Sequence, residues 1–208
     1  EEIRVTGGDA VFIRADVSKI QDTEALVKEA HDMFGQIDGL VNNAAVHAEL
    51  EYIPFDQIDE DEWDHVFAVN VKGSWLMTRA VYPFMKLRGV GKIVNIGSGT
   101  PFKGAPKMYH YVVSKGAIMT LTRVMARTLG KDGICVNCIS PSLTRSDSVV
   151  EIRGEEMMQQ EEAALISDRA IPSSEVPEDL VGALAFFLSD GANFITGQNL
   201  PVNGGDHM

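Results

Sequence analysis

The sequence predicts an α/β fold: a doubly wound parallel sheet in three layers, with helices on both faces. Two observations predict it. Short apolar runs of strand length alternate with longer runs of helical periodicity. Strands joined by helices are crossover-connected, which gives parallel pairing and a helix layer on each face. In such sheets ligands bind beyond the carboxyl ends of the strands, so the informative residues are sought there.

The elements follow in order. Ala10-Val11-Phe12-Ile13 suits a first buried strand. Residues 22–34 have helical periodicity, with Leu26, Ala30 and Met33 on one face. Gly39-Leu40-Val41-Asn42 reads as a second strand. A long helical stretch covers residues 60–88. Trp63, Phe67, Asn70, Ser74, Met77, Val81 and Phe84 form one stripe along it, spaced 4,3,4,3,4,3. Residues 92–96 are a third strand, residues 109–129 a helix ending before Gly130, and residues 134–140 a fourth strand. Residues 144–177, polar and rich in methionine, read as a loop with one or two short helices. Pro177 suits the first turn of a helix reaching Leu188. Asn199-Leu200-Pro201-Val202 is a last strand, with Pro201 pointing to an edge position. No repeat, low-complexity tract or linker interrupts the chain. Residues 1–208 are therefore expected to form one domain, with residues 142–176 covering a substrate.

Composition narrows the function. A chain of 208 residues suffices for one domain with a sizeable core. Its 45% apolar and 23% charged content is that of an ordinary globular protein. A net charge of -12 argues against nucleic-acid and anionic-membrane partners, because phosphates are repelled. An anionic small molecule in a local pocket stays compatible with it. No apolar run approaches the roughly 20 residues that span a bilayer. The first residues lack the pattern of a signal peptide, glycosylation acceptor sites are absent, and 2 cysteines make no disulfide framework. Cytoplasmic residence is the simplest expectation.

The strongest chemical signal is Tyr111-Val112-Val113-Ser114-Lys115. Tyr111 and Lys115 are four apart on a predicted helix and share a face. A free tyrosine, with a pKa of about 10, exchanges protons poorly at neutral pH. A nearby ammonium favours the phenolate. Reaching about 7 requires roughly 4 kcal/mol of differential stabilisation. A core tyrosine beside a surface lysine remains the other reading of this pair. Tyr109 has Val113 four residues on and gains no such charge. Ser98 follows the strand at 92–96, at the edge where Tyr111 opens its helix, and can hydrogen-bond a substrate oxygen; Gly97-Ser98-Gly99 is equally good turn composition. Asn70 interrupts an otherwise mainly apolar helical stripe. A buried amide without partners costs a few kcal/mol, so specific partners are expected. Asp16-Val17 and Asn42-Asn43-Ala44-Ala45 also fall at the ligand edge, although Asp and Asn are common in turns.

Several other signals are set aside. Gly97, Gly99 and Gly104 do not make a phosphate loop, because Pro101 intervenes and no helix follows at once. Cys135 and Cys138 face opposite ways on a predicted strand. His31, His47, His65, His110 and His207 have no zinc-binding spacing, so no metal site is expected. His110 points about 100° away from Tyr111 and reads as a wall or surface residue.

Taken together and in order, these residues resemble the short-chain dehydrogenase/reductase family over essentially the whole chain. Asp16-Val17 is similar to the family's adenine-contacting pair. Asn42-Asn43-Ala44-Ala45 is similar to its Asn-Asn-Ala-Gly, with alanine for glycine. Asn70, Ser98, Tyr111 and Lys115 match its catalytic tetrad. Pro141-Ser142 stands where Pro-Gly is usual, Asn203 where aspartate is usual, and 177–180 and 195–198 match C-terminal signatures.

The resemblance implies a Rossmann-like fold and an NAD(P)-dependent oxidoreductase interconverting a secondary alcohol and a ketone. Tyr111 would be general acid or base. Lys115 would lower its pKa and hold the nicotinamide ribose, Ser98 would hold the substrate oxygen, and Asn70 would position a relay water. Asp16, Val17, Asn43, Ala44, Tyr111, Lys115, Pro141, Leu143 and Thr144 would line the cofactor, NAD or NADP, with NAD the first choice. The substrate is expected to be small to medium and largely apolar, from Leu143, Val149, Ile152, Met157, Met158 and Leu165 in the covering segment. A homotetramer is expected, through residues 60–88, the helix at 109–129 and the segment 194–202. The family's first βαβ unit, with its glycine-rich turn, would precede Glu1. A catalytically silent binding or scaffold subunit without a nucleotide site is therefore the alternative reading.

Overall fold

A computed structural model describes residues 2–207. Helix α1 spans Ile20–Phe34, strand β1 Gly39–Asn42, α2 Glu60–Phe67, α3 Ser74–Arg88 and β2 Gly91–Ile96. Helix α4 spans Tyr109–Leu129, β3 Ile134–Pro141, α5 Asp147–Arg153, α6 Glu155–Asp168, α7 Pro177–Leu188 and β4 Asn199–Val202. The strands lie in the order β1-β2-β3-β4 and all run parallel. Leu40 pairs with Ile93, Ile93 with Val136 and Ile139 with Leu200. Helices α3 and α4 cover one face, with α1 resting on α3, and α7 covers the other. The result is the expected three-layer, Rossmann-like α/β fold, with β4 at an edge.

Local chemistry sets the element ends. Asp59 accepts from the N–H groups of Asp61 and Glu62 and starts α2. Gly89, at φ 69°, closes α3 in the left-handed conformation. Pro177 opens α7, and the Asp179 carboxylate accepts from Val176 N at 2.9 Å. A side chain at Gly133 would meet Gly89 O at 1.9 Å, so the turn into β3 requires glycine. Along β2, Ile93 packs into the α3–α4 side and Val94 into the α7 side, the period-two alternation of a strand buried on both faces.

Two expectations are corrected. Residues 10–13 form no strand, and Phe12 is 89% exposed. A strand needs a neighbour for its N–H and C=O groups, and among the described residues β1 pairs with β2 alone. On α1, Met33 is 55% exposed while Thr23 and Val27 are buried. The stripe is rotated because α1 packs on α3 rather than on the sheet.

A polar layer crosses the core on the α3–α4 side. Asn42 Nδ2 donates to Asn95 Oδ1 at 2.8 Å, and Asn95 Nδ2 donates to Thr122 Oγ1 at 2.9 Å. Thr122 in turn donates to Ile118 O at 2.8 Å. The chain joins β1, β2 and α4 just below the sheet's carboxyl edge. Because Asn95 is fully buried, deleting its amide strands two partners. Asn95→Ala should lower the unfolding free energy by about 2–4 kcal/mol. Urea denaturation checks this, and a loss under about 0.5 kcal/mol, the range of an ordinary surface substitution, would refute it.

Candidate active site

Helix α4 carries the centre of the site. Tyr111 is 7% exposed and Lys115 4%. The ammonium donates to Ile96 O at 2.8 Å, at the carboxyl end of β2, and lies 5.7 Å from the Tyr111 ring centroid. Burial holds the Lys115 pKa down to about 8, against the opposing influence of Cys138. Burial pushes Tyr111 up to about 12, opposed by a hydrogen bond with Ser98 and by the charge of Arg153. The sequence-based expectation for Tyr111 was a lowered value. Desolvation of the phenolate outweighs the Ser98 hydrogen bond and the Arg153 charge here, so at neutral pH the hydroxyl is a protonated donor.

Ser98 sits in the turn after β2. Gly97 N donates to Ile139 O and Gly99 N to Pro141 O, both at 2.7 Å, which fastens the turn to β3. Ser98 Oγ lies 3.0 Å from Thr100 Oγ1 and accepts from Thr100 N at 3.2 Å. Ser98 thus braces Thr100, the first residue of the helical turn Thr100–Lys103, and it shares a cavity with Tyr111.

Between α2 and α3 the backbone forms a π-helical segment, Ala68–Gly73, a feature often found at functional sites. Asn70 lies within it, buried as expected. Its Oδ1 accepts from Val46 N at 2.8 Å. Its Nδ2 donates to Val46 O at 3.3 Å and to Ser114 Oγ at 3.0 Å. Ser114 Oγ donates to Tyr111 O at 2.7 Å. Asn70 thus fixes the segment after β1 against the turn of α4 that lies between Tyr111 and Lys115.

Of the residues expected at the cofactor, Asn43, Lys115, Pro141 and Thr144 line one cavity of about 310 Å³ with Ile96 and Gly97. Lys115 uses one of its three donors on Ile96. A buried ammonium beside a groove along the strand ends suits ribose hydroxyls, so these residues fit a nicotinamide nucleotide. Thr144 Oγ1 donates to Glu175 Oε1 at 2.7 Å, and Ser142 N to Glu175 Oε2 at 3.2 Å. Glu175 therefore pins the loop after β3. Val17, Asn43 and Ala44 share a smaller cavity of about 80 Å³. Val17 also rests on Gly73, where a Cβ would come within 2.8 Å of it. Asp16 does not join the Tyr111 cluster. Its carboxylate accepts from Ser18 N and Ser18 Oγ and pairs with Lys19, and the Ser18 hydrogen bonds hold its pKa down to about 2.

On the other side of Tyr111 a second cavity, of about 280 Å³, is lined by Ser98, Met108, Leu143, Leu165, His47 and Arg153, among others. Leu143, expected at the cofactor, lines this cavity. The His47 ring lies 4.7 Å from that of Tyr111. Burial, then the charges of Arg153 and Lys115, holds its pKa down to about 4, so it is neutral near pH 7. Tyr52, Arg153, Glu161 and Glu175 escaped the sequence reading, and His47 was weighed there only as a metal ligand, since no spacing rule joins residues so far apart in the chain. His110 is corrected: it is fully buried, with Nε2 2.7 Å from Glu62 Oε1, because α2 packs over the first turn of α4. Among the described residues no cluster of His, Cys, Asp or Glu is arranged to hold a metal, and no helix is long and apolar enough to cross a membrane.

The Lys115 shift, from 10.5 to about 8, means that burial opposes the charged form by about 3 kcal/mol. That penalty is complete below about pH 8 and fades towards pH 10.5, where the unfolded lysine also deprotonates. Lys115→Met should therefore unfold about 1–3 kcal/mol less readily than wild type at pH 7. The gap should narrow between about pH 8 and 10.5. Chemical denaturation across that pH range checks it; a variant less stable than wild type at pH 7 would contradict the assignment of the shift to burial.

Comparison with known proteins bears on this geometry. A family model described as enoyl-(acyl carrier protein) reductase matches residues 1–207. The chain is 32% identical over 208 residues to a Staphylococcus aureus 3-oxoacyl-[acyl-carrier-protein] reductase FabG, covering 100% of this chain and 81% of that protein. It is 36% identical over 202 residues to 2-(S)-hydroxypropyl-CoM dehydrogenase 3 of Xanthobacter autotrophicus, covering 96% of this chain and 78% of the relative. A solved structure from Sinorhizobium meliloti 1021, assigned as a short-chain alcohol dehydrogenase, superposes with a TM-score of 0.90 at 28% identity, over 98% of this chain and 79% of that one. A Beutenbergia cavernae structure, assigned as an NAD(P)-dependent gluconate 5-dehydrogenase with NADP bound at low occupancy, gives 0.86 at 29% identity, again over 98% and 79%. With Tyr111, Lys115 and Ser98 gathered at the carboxyl edge of a parallel sheet, and a family model matched along almost its whole length, this chain belongs to the short-chain dehydrogenase/reductase family of oxidoreductases.

Proposed function

We propose that this oxidoreductase interconverts a secondary alcohol and a ketone with NAD(P), using Tyr111 as the acid–base group. The observation that carries the reading is the position of Tyr111, between the cavity beside Lys115 and the cavity beside Ser98. Bound NAD(P) supplies or accepts the two electrons of the reaction as hydride. In reduction the Tyr111 hydroxyl gives its proton to the substrate oxygen, and in oxidation the phenolate takes it back. The protonated phenol, the form present at neutral pH, is the form that donates in reduction. Ser98 holds the substrate oxygen beside the phenol. Lys115 steadies the phenolate and holds the ribose side of the cofactor, together with Asn43, Pro141 and Thr144; Ala44 lines the neighbouring cavity with Val17, and Asp16 and Val17 belong to the adenine side. Asn70 keeps the α4 turn in place and positions a relay water. NAD is the first choice of cofactor, and residues 142–176 cover the substrate. Leu143, Leu165 and Met108 suit a largely apolar substrate body. The names of the relatives, a 3-oxoacyl reductase and a hydroxypropyl dehydrogenase, describe the same carbonyl–hydroxyl pair.

Tyr111→Phe keeps the ring and removes the hydroxyl. It should slow NAD(P)H-dependent ketone reduction by roughly 10²-fold or more. Steady-state assays with NADH and with NADPH read this and rank the cofactors. Wild-type turnover by the variant would remove Tyr111 from the mechanism.

We also infer a homotetramer. Trp75, Val113 and Val124 are exposed on α3 and α4, and Val181, Phe186, Phe194 and Leu200 are exposed elsewhere. Separate apolar patches suit closed symmetric assembly through more than one contact. Light scattering of the full-length protein at micromolar concentration should report four chains; a monomeric mass would overturn the inference.

A further inference from the structure

Arg153, the last residue of α5, forms one wall of the cavity beside Ser98 and Tyr111. Its side chain is 5% exposed. Nη1 donates to Tyr52 Oη at 3.0 Å and to Glu161 Oε2 at 3.1 Å. The other edge of the guanidinium is nearly unused. Nη2 meets only the Met108 thioether, at 3.6 Å, and Nε is buried with no partner among the described residues. A thioether is a weak acceptor, and an unmatched buried donor on a cation is costly. The Nε–Nη2 edge is the planar fork that matches two oxygens of a carboxylate.

The surroundings carry a surplus of positive charge. Among the charged side chains on this cavity, Lys103 pairs with Asp206 and Arg153 with Glu161. Lys107 lies over the Tyr52 ring at 4.5 Å, with no carboxylate paired to it among the described residues. In a protein of net charge -12, this local excess of cation is a reversal of sign. Met108 can yield its place. It has three rotatable side-chain bonds, and its backbone, at φ 48°, sits in a conformation unfavourable for a residue with a side chain. Such local strain tends to gather at ligand sites. The apolar residues Leu143, Ala164 and Leu165 line the same cavity.

We propose that this cavity takes an oxo acid or hydroxy acid, its carboxylate received by the Nε–Nη2 edge of Arg153 and its apolar body by Leu143 and Leu165. The proposal deepens the reading of Tyr111 as the acid–base group and rests on it for turnover. Arg153 selects the substrate and exchanges no proton itself; its charge acts on Tyr111 alike whether acid or ester is bound.

The test uses the full-length protein and a homologous series of oxo acids, each with its uncharged methyl ester. Wild type should reduce the acids with kcat/KM about tenfold or more above the esters. Arg153→Gln should lower that acid-to-ester ratio by roughly 10- to 100-fold. Arg153→Lys, which keeps the charge and loses the fork, should fall between the two. Lys107→Met, on the exposed rim, should lower the ratio by a few-fold and serves if Arg153→Gln does not fold. Calorimetric titration with hexanoate, against hexanamide, reads binding without turnover and should show the same dependence on Arg153. A ratio near one in wild type, or an equal loss on acid and ester in Arg153→Gln, would overturn the proposal and leave the role of Tyr111 standing. Hexanoate binding that depends on Arg153, with no turnover of any carbonyl compound, would support the carboxylate site and instead overturn the reading of Tyr111.

Discussion

A lysine ammonium held out of water on a strand carbonyl organises this site. Lys115 donates to Ile96 O at 2.8 Å, which ties α4 to the carboxyl end of β2. One helical turn earlier, Tyr111 is thereby set between two cavities. Ser98, two residues after Ile96, is set opposite it. The same turn of α4 is held from the other side by Asn70 through Ser114. Lys115 and Asn70 together hold the turn of α4 that carries Tyr111.

Holding the ammonium there opposes folding. Burial lowers the Lys115 pKa and raises that of Tyr111, so both charged forms are disfavoured. The surrounding structure has to outweigh this. The polar layer Asn42–Asn95–Thr122 lies directly beneath, each amide satisfied, and locks β1, β2 and α4 in one register. Below that layer the core of Leu40, Ile93, Val136, Met85 and Leu129 is apolar. Stability thus comes from the body of the sheet, while the buried ammonium that opposes folding sits at its carboxyl edge.

The segment of residues 142–176 has a different physical character. Helices α5 and α6 carry several ionic contacts, Arg145 with Glu155 and Glu162 and Arg153 with Glu161, beside the buried Met158. Such contacts are weaker per group than core packing when they are partly solvated, and they depend on salt. Glu175 anchors the start of the segment through Thr144 and Ser142.

The sequence by itself determined the helices α4 and α7 to their end residues, the strands β1 and β4, and the meeting of Ser98, Tyr111 and Lys115. In each case a local periodicity or a turn residue carries the information, and a fixed rise per residue turns spacing into geometry. Asn70 was legible for the same reason, as a polar break in an apolar stripe. Tertiary structure alone decided the rest. Residues 10–13 have strand composition, yet a strand exists only where another chain segment completes its hydrogen bonds. Tyr111 was expected to be acidified by Lys115, but burial raises its pKa against the Ser98 hydrogen bond and the Arg153 charge, and burial belongs to the whole packed molecule. Arg153, Tyr52 and Glu161 meet across up to 109 positions of sequence. No pattern in a single chain encodes such a meeting, because it follows from where two helices come to rest over the sheet.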